Sequence, residues 1–330
     1  MIPWPDNFCY SVQGTFLWLQ TFFPTFVLIP NLRFKKITKQ KNMKKLLILL
    51  FIIPALAFAQ QEKKDTLWTT SGNATFNFAQ VSLSNWAAGG KSSMSGVMMF
   101  NYAANYKKDK LSWDNSFDFR YGFLKEEDQK VRKSDDKIDI SSKLGIEASG
   151  NWNYAGLLNF KSQFAKGYNY PDTDNAISKF MAPGYLTFGV GMDYKTDVLS
   201  VMMAPVSGKL TFVTDDDLAA EGAFGVEPGN NLRAEMGATV KAQLKKDIMK
   251  NVTLDTKVDL FSNYLDEPKN IDIDWTFKII MKVNDYLSAN LITQMIYDND
   301  VKIQGDDETL PPSPGLQFME SFGVGLTFKF

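Results

Sequence analysis

Asn270-Ile271-Asp272-Ile273-Asp274-Trp275-Thr276-Phe277-Lys278-Ile279-Ile280-Met281-Lys282-Val283-Asn284 changes character at every step. Ile271, Ile273, Trp275, Phe277, Ile279, Met281 and Val283 form one set; Asn270, Asp272, Asp274, Thr276, Lys278, Lys282 and Asn284 form the other. Ile280 is the one apolar intruder. A period of two puts each set on its own face of an extended strand, since successive side chains point to opposite sides. One face is continuously apolar. The other carries charges of both signs, which a buried sheet does not tolerate.

The same alternation recurs along the chain. In 137–149, Ile138, Ile140, Leu144, Ile146 and Ala148 oppose Lys137, Asp139, Ser141, Lys143, Glu147 and Ser149. Twelve strands follow from it, at 68–80, 94–107, 111–125, 137–149, 151–168, 185–197, 199–214, 232–246, 250–265, 270–284, 286–298 and 316–330. Most exceed the roughly 5–6 residues of a soluble strand and suit a tilted membrane strand of about 9–11 residues with extensions. The connections alternate too. Lys107–Lys110, Gly150-Asn151, Asp197, Asp247–Met249 and Asp285 are tight, whereas 81–93, 126–136, 169–184, 215–231 and 299–315 are long and 266–269 is a shorter member of that set. Short turns at one end and long loops at the other are the layout of a bacterial outer-membrane barrel. The expected fold is therefore all-β: a transmembrane antiparallel barrel of about twelve strands, with short periplasmic turns and long extracellular loops.

Two rows of amphipathic rings fit that frame. Tyr106, Trp113, Trp152, Tyr154, Tyr194 and Tyr286 stand beside tight turns, and Tyr121, Tyr168, Tyr185, Tyr264 and Tyr297 beside long loops. Such rings favour the headgroup level of a bilayer. The last strand is the sharpest motif. Phe322, Val324, Leu326, Phe328 and the terminal Phe330 alternate with Gly323, Gly325, Thr327 and Lys329. It resembles the signal by which barrel-assembly machinery recognises its clients, and Phe322, Phe328 and Phe330 are its candidate residues.

The front of the chain looks like processing signal. Met43-Lys44-Lys45, an apolar run from Leu46 to Ala57, and Ala57-Phe58-Ala59 before Gln60 have the order of a secretory signal peptide at 43–59. The run is too short to span a bilayer. Residues 1–42 then read as an upstream start-site artefact, 60–67 as a short periplasmic segment, and 68–330 as the barrel. The expected location is the outer membrane, with its lipid and the assembly machinery as partners.

Composition excludes several functions. The chain of 330 residues holds no histidine, which removes histidine-based triads and metal sites. Its one cysteine, Cys9, allows no disulfide framework. Lys+Arg 36 against Asp+Glu 37 gives no bulk attraction to nucleic acid. Asp215-Asp216-Asp217, Asp172–Asn175 and Asp298–Asp300 lack the spacing of a calcium loop and read as solvated loops. Pro205 and Gly208 mark a bulge or kink. Neither a catalytic residue nor a cofactor is expected. Three functions remain: a narrow, weakly cation-preferring pore or small-solute transporter; a structural or partner-binding barrel; and a barrel hydrolase, which no motif supports.

The candidate functional surface is the inward face. Its charged positions include Asp118, Arg120, Lys143, Glu147, Lys241, Asp255, Asp272, Asp274, Lys278 and Lys282. Mixed signs favour a bore that is internally paired. A turn at Asp247–Met249 brings Lys241 opposite Asp255.

The stretches Asn85–Gly90, Ala204-Pro205, Gly225–Gly229, Leu260–Tyr264, Asn270–Asp272, Lys282–Ala289 and Tyr297–Asp300 resemble an uncharacterised family of Bacteroidota, the domain of unknown function 3078. The resemblance covers nearly all of 68–330. It implies an outer-membrane location and supplies no activity.

Overall fold

The computed structural model describes residues 67–83, 91–303 and 311–330. The expected leader and the segment before it lie outside these, as does the Asn85–Gly90 motif. The strands are β1 (Trp68–Val81), β2 (Ser93–Lys108), β3 (Leu111–Glu126), β4 (Arg132–Ser149), β5 (Trp152–Ser162), β6 (Gly184–Lys195), β7 (Leu199–Phe212), β8 (Leu232–Met249), β9 (Val252–Asn263), β10 (Ile271–Lys282), β11 (Leu287–Tyr297) and β12 (Gln317–Lys329). Each pairs antiparallel with its sequence neighbour, and β1 pairs with β12, so twelve strands close into a barrel. Closure leaves no free sheet edge except where pairing lapses.

The turns fix the register. Gly150 (φ 56°) and Asn251 (φ 64°) both adopt the left-handed conformation that two-residue hairpins require. The β8–β9 turn therefore lies at Lys250-Asn251, not at Asp247–Met249. Lys241 consequently opposes Asp259, and Asp255 opposes Lys245. The expected Lys241–Asp255 pair is not formed: moving a hairpin turn by two residues displaces each cross-strand partner by four.

Other boundaries differ for local reasons. The strand expected at 137 starts at Arg132, which shortens the adjacent loop. The strand expected through 168 stops at Ser162, and Gly167-Tyr168 instead pairs with Ala176–Ser178 in a small ribbon outside the wall. The 215–231 connection holds a short helix, α1 (Asp216–Ala220). The Asp215 side chain caps it by accepting from the Leu218 amide. Pro205 sits where β7 slips register against both neighbours, between Gly237 and Thr239 of β8 and between Val190 and Met192 of β6. This is the bulge expected there.

The outside of the barrel is apolar and open to its surroundings. Phe318, Phe322, Val324, Leu326 and Phe328 of β12, Ile140, Leu144 and Ile146 of β4, and Phe188 and Val190 of β6 are all exposed. So are their counterparts on β1, β8 and β10. A soluble monomer does not expose an apolar band around its whole circumference. On the tight-turn side Trp68 meets Tyr106 at 5.3 Å and Trp113 at 5.6 Å, and Trp152 meets Tyr194 at 5.1 Å. Among the described residues no helix is long and apolar enough to cross a membrane.

Candidate functional site: a charged belt across the bore

Inward positions hold nearly all the charge of the strands. Asp118 and Arg120 come from β3, Lys143 from β4, Lys161 from β5, Lys241 from β8, Asp255, Lys257 and Asp259 from β9, and Asp274 and Lys278 from β10. Their side chains reach across the lumen as well as along the wall. Lys257 donates to Asp118 at 2.7 Å. Its strand, β9, lies six positions round the twelve-strand ring from β3, so this bond joins opposite walls. Asn101 also donates to Asp118.

A second group lies beside that span. Asp259 and Asp274 face each other directly in the β9–β10 register. Two carboxylates so placed repel. Lys161 crosses from β5 and donates to both, at 2.5 and 2.7 Å. Lys241 donates to Asp259 at 2.6 Å and to Asn159 at 3.3 Å, and Asn159 donates to Asp139 at 2.7 Å. Arg120 ion-pairs with Asp135 and donates to Gln294 at 3.0 Å, while Gln294 donates to Asp274 at 2.8 Å. These bonds cross the middle of the bore.

The belt divides the lumen. On the tight-turn side is a cavity of about 590 Å³, bordered by Asp114, Lys143, Lys195, Lys245 and Lys329 among others. Within it Lys143 donates to Asp193 and to Ser200, both at 2.7 Å, and the Ser200 hydroxyl donates to Asp193 at 3.0 Å. The lysine is thus a charged donor in an ion pair with Asp193, and the same carboxylate accepts from the Ser200 hydroxyl. A smaller cavity of about 40 Å³ lies among Met99, Asp118, Arg120, Lys257, Lys278 and Ile292.

On the loop side Lys209 is held by Asp272 (2.6 Å), Asp298 (3.2 Å) and Glu235 (3.9 Å), with the rings of Tyr185 and Phe261 at 5.8 and 5.3 Å. Arg233 pairs with Asp300 at 2.8 Å and Glu235 at 3.3 Å. Acids outnumber bases here.

Of the ten charged candidates, Asp118, Arg120, Lys241, Asp255, Asp274 and Lys278 are at belt level. Lys143 lies in the inner cavity and Asp272 in the outer cluster. Glu147 and Lys282 share the inward parity but sit exposed at the tight-turn rim, Lys282 bonded to Asp285 at 2.7 Å. Tyr185 turns inward to Lys209 rather than joining the outer ring row. Its distance from a loop says nothing about its parity along the strand. Lys161, Lys257 and Asp259 share the inward parity of these candidates, but their central place needed the register.

Phe330 closes the seam. Its amide donates to the Gly72 carbonyl at 3.0 Å and its carbonyl accepts from the Gly72 amide at 2.8 Å. Its ring lies 5.9 Å from Phe100 and 6.4 Å from Tyr102. A Cβ on Gly72 would meet that ring at 2.4 Å, so any larger residue there must displace it.

Loop groups form a separate structure. Ala182, Val213, Leu218, Ala219 and Val226 make a small buried core under Phe224. Lys179 bonds Asp215 there, and this bond first of all holds the Asp215 carboxyl below the ordinary aspartate range. Among the described residues no group of three or more acidic or sulfur ligands is placed to hold a metal.

Residues 78–168 match the family DUF3078, a protein of unknown function. The DUF3078 match runs from the end of β1 through β5 and takes in Asp118, Arg120, Lys143 and Lys161. It is narrower than the 68–330 expected from the sequence, and of the stretches quoted for that resemblance only Asn85–Gly90 lies inside it. No curated protein matches the chain. Among solved structures, the chain resembles the translocator domain of the autotransporter NalP from Neisseria meningitidis. Identity is 9%, coverage 88% of this chain and 97% of that one, and the TM-score 0.35. It also resembles the COG4313 outer-membrane channel from Pseudomonas putida F1 (12% identity, 82% and 99% coverage, TM-score 0.36). OmpT of Vibrio cholerae is similar at 8% identity, with 82% and 100% coverage and a TM-score of 0.29.

Proposed function

We propose that this chain is an outer-membrane barrel whose bore is held shut at rest by its own ion pairs and opens into a narrow, weakly cation-preferring path for small solutes. The observation that carries this is the Lys257–Asp118 bond between opposite walls. A side-chain bridge across the diameter obstructs the water path, and the Lys161 bridge beside it narrows more of the section. The cation preference rests on the outer mouth, where, among the described residues, Asp272, Asp298, Asp300 and Glu235 pair with Lys209 and Arg233. An acidic entrance concentrates cations. The exposed apolar band, the paired rings and the alternation of short turns with long loops support the outer-membrane location.

A second proposal, a partner-binding barrel, is favoured by the small core under the β5–β6 and β7–β8 loops. A loop with its own core can present a fixed surface. Single-channel recording of the purified barrel in planar bilayers separates the two. The pore proposal expects low, flickering, cation-preferring current. Large, steady, anion-selective current refutes it, and silence in the native and belt-broken forms alike moves the assignment to partner binding.

A further inference from the structure

The barrel is not sewn evenly. Eleven of its twelve junctions pair ten to sixteen positions each. The β1–β12 junction pairs five, from Asn73↔Lys329 to Asn77↔Gly325. Continued in the same register, Phe78, Ala79, Gln80 and Val81 would meet Val324, Gly323, Phe322 and Ser321. Those rungs are missing, although β1 stays paired with β2 there and β12 with β11. The two strands part on the loop side. Unpaired backbone in hydrocarbon is costly, so a lapse at this depth needs a reason.

Two features mark the same place. The Asn77 side chain is buried at 7% exposure and its Oδ1 has no partner. Glu320, three places from the loop end of β12, puts an exposed carboxylate on the outward face. Charge on a lipid-facing position is disfavoured.

The lumen wall behind the slit differs from the rest. On β1, β2, β11 and β12 the inward positions between the rims carry no charge. The loop-side half presents Val81, Val97, Met99, Ile292, Ile296 and Met319. Directly across the β10–β11 ladder from Ile292 stands Lys278. Among the described residues it is the one belt cation with no ion pair within 4 Å, although Asp255 faces it across β9–β10. Lys278, Ile292 and Met99 border the 40 Å³ cavity together; its other charged neighbours are Asp118, Asp139 and Asp255 against Arg120, Lys137 and Lys257, so with Lys278 its lining carries one more cation than anion.

We propose that the unzipped half of the β1–β12 seam is a lateral portal between the lumen and the outer half of the bilayer, for a single-chain amphiphile with a carboxylate head. The head sits at Lys278. The tail lies over Ile292, Met99 and Met319 and leaves through the slit beside Phe78 and Phe322. No covalent step is involved, and the portal is independent of ion conduction.

The test uses the whole mature barrel in phosphatidylcholine liposomes with palmitate carrying a terminal diazirine, followed by peptide mapping. Label is expected on outward residues such as Phe322, as for any barrel in lipid. The diagnostic label is on inward Met99, Ile292 or Met319, and excess unlabelled palmitate should suppress it at least severalfold. Oxidising Ala79→Cys/Gly323→Cys should remove the inward label and leave the outward label, and reduction should restore it. Lys278→Met should cut inward labelling severalfold. Outward label alone in the unmodified barrel overturns the proposal, whatever the variants do. So does inward label that survives the closed disulfide. Inward label from a diazirine-bearing phosphatidylcholine but not from palmitate overturns the carboxylate assignment.

Discussion

Removing one end of the Lys257–Asp118 bridge should open the bore and set its selectivity by which charge remains. At 2.7 Å two unit charges attract by about 6 kcal/mol at an effective dielectric of 20 and about 1.5 kcal/mol at that of water. The side chains are 34% and 24% exposed, on the edge of the 590 Å³ cavity below. Screening and side-chain entropy therefore leave a net coupling of about 1–2 kcal/mol. That corresponds to roughly 5–30-fold in the ratio of open to closed bore. Lys257→Ala leaves Asp118 facing an opened gap and should raise cation preference. Asp118→Ala leaves Lys257 there and should push the reversal potential the other way. The double variant should give the largest current with selectivity near the parent's, set by the acidic mouth. The assay is single-channel current and reversal potential across a salt gradient, with far-ultraviolet circular dichroism to show that each barrel folds. If both single variants shift the reversal potential in one direction, or neither raises the current, the bridge is not the closing element.

Lys161→Ala leaves Asp259 and Asp274 opposed in register. It should cost about 3 kcal/mol, the lower end of the range for stranding buried charge, because these groups are about one-fifth exposed and Asp259 keeps Lys241; a lowered thermal midpoint checks it, and an unchanged midpoint contradicts the role given to Lys161. Deleting Phe330, or replacing Phe328 and Phe330 with Asp, should abolish the heat-modifiable gel shift of an assembled barrel, and Gly72→Val should weaken it by displacing the Phe330 ring. In the loops, a carboxyl held low by its partner stabilises at pH above the unfolded aspartate value and loses that effect as pH falls through its own lowered one. Protease nicking of 213–231 should therefore stay slow at neutral pH and rise on acidification; Asp215→Ala should make it fast at both, and a wild-type rate indifferent to pH counts against the Lys179–Asp215 tie.

Strand existence and spacing were legible because the period of two survives in almost every segment, and the alternation at Ile271–Met281 needs no partner to be read. Depth was not. Lys241 and Asp255 looked like neighbours until Asn251 set the turn, and a slip of two residues in a hairpin reassigns every partner without altering either strand's pattern. Bridges such as Lys257–Asp118 were beyond reach for a different reason. They join strands far apart in the chain, and their contact depends on the curvature of the whole ring. The α1 helix was hidden because five residues carry too little periodicity, and its Asp215 cap read as part of a solvated acidic loop.

The five-rung joint also governs how the barrel is made. Thr75 and Thr327 meet through their hydroxyls at 2.9 Å across 252 positions of chain. Every other junction is a hairpin between sequence neighbours. Loop-closure entropy rises only slowly with length, yet this contact has no local nucleus and must wait until all the intervening strands have stacked. Closure is then the slow, late event, since non-local pairing limits the folding rate. Before it, the chain is a curled sheet with two raw edges. Because those edges carry uncharged inner walls, they approach without first having to match opposite charges, as the β3–β10 walls must.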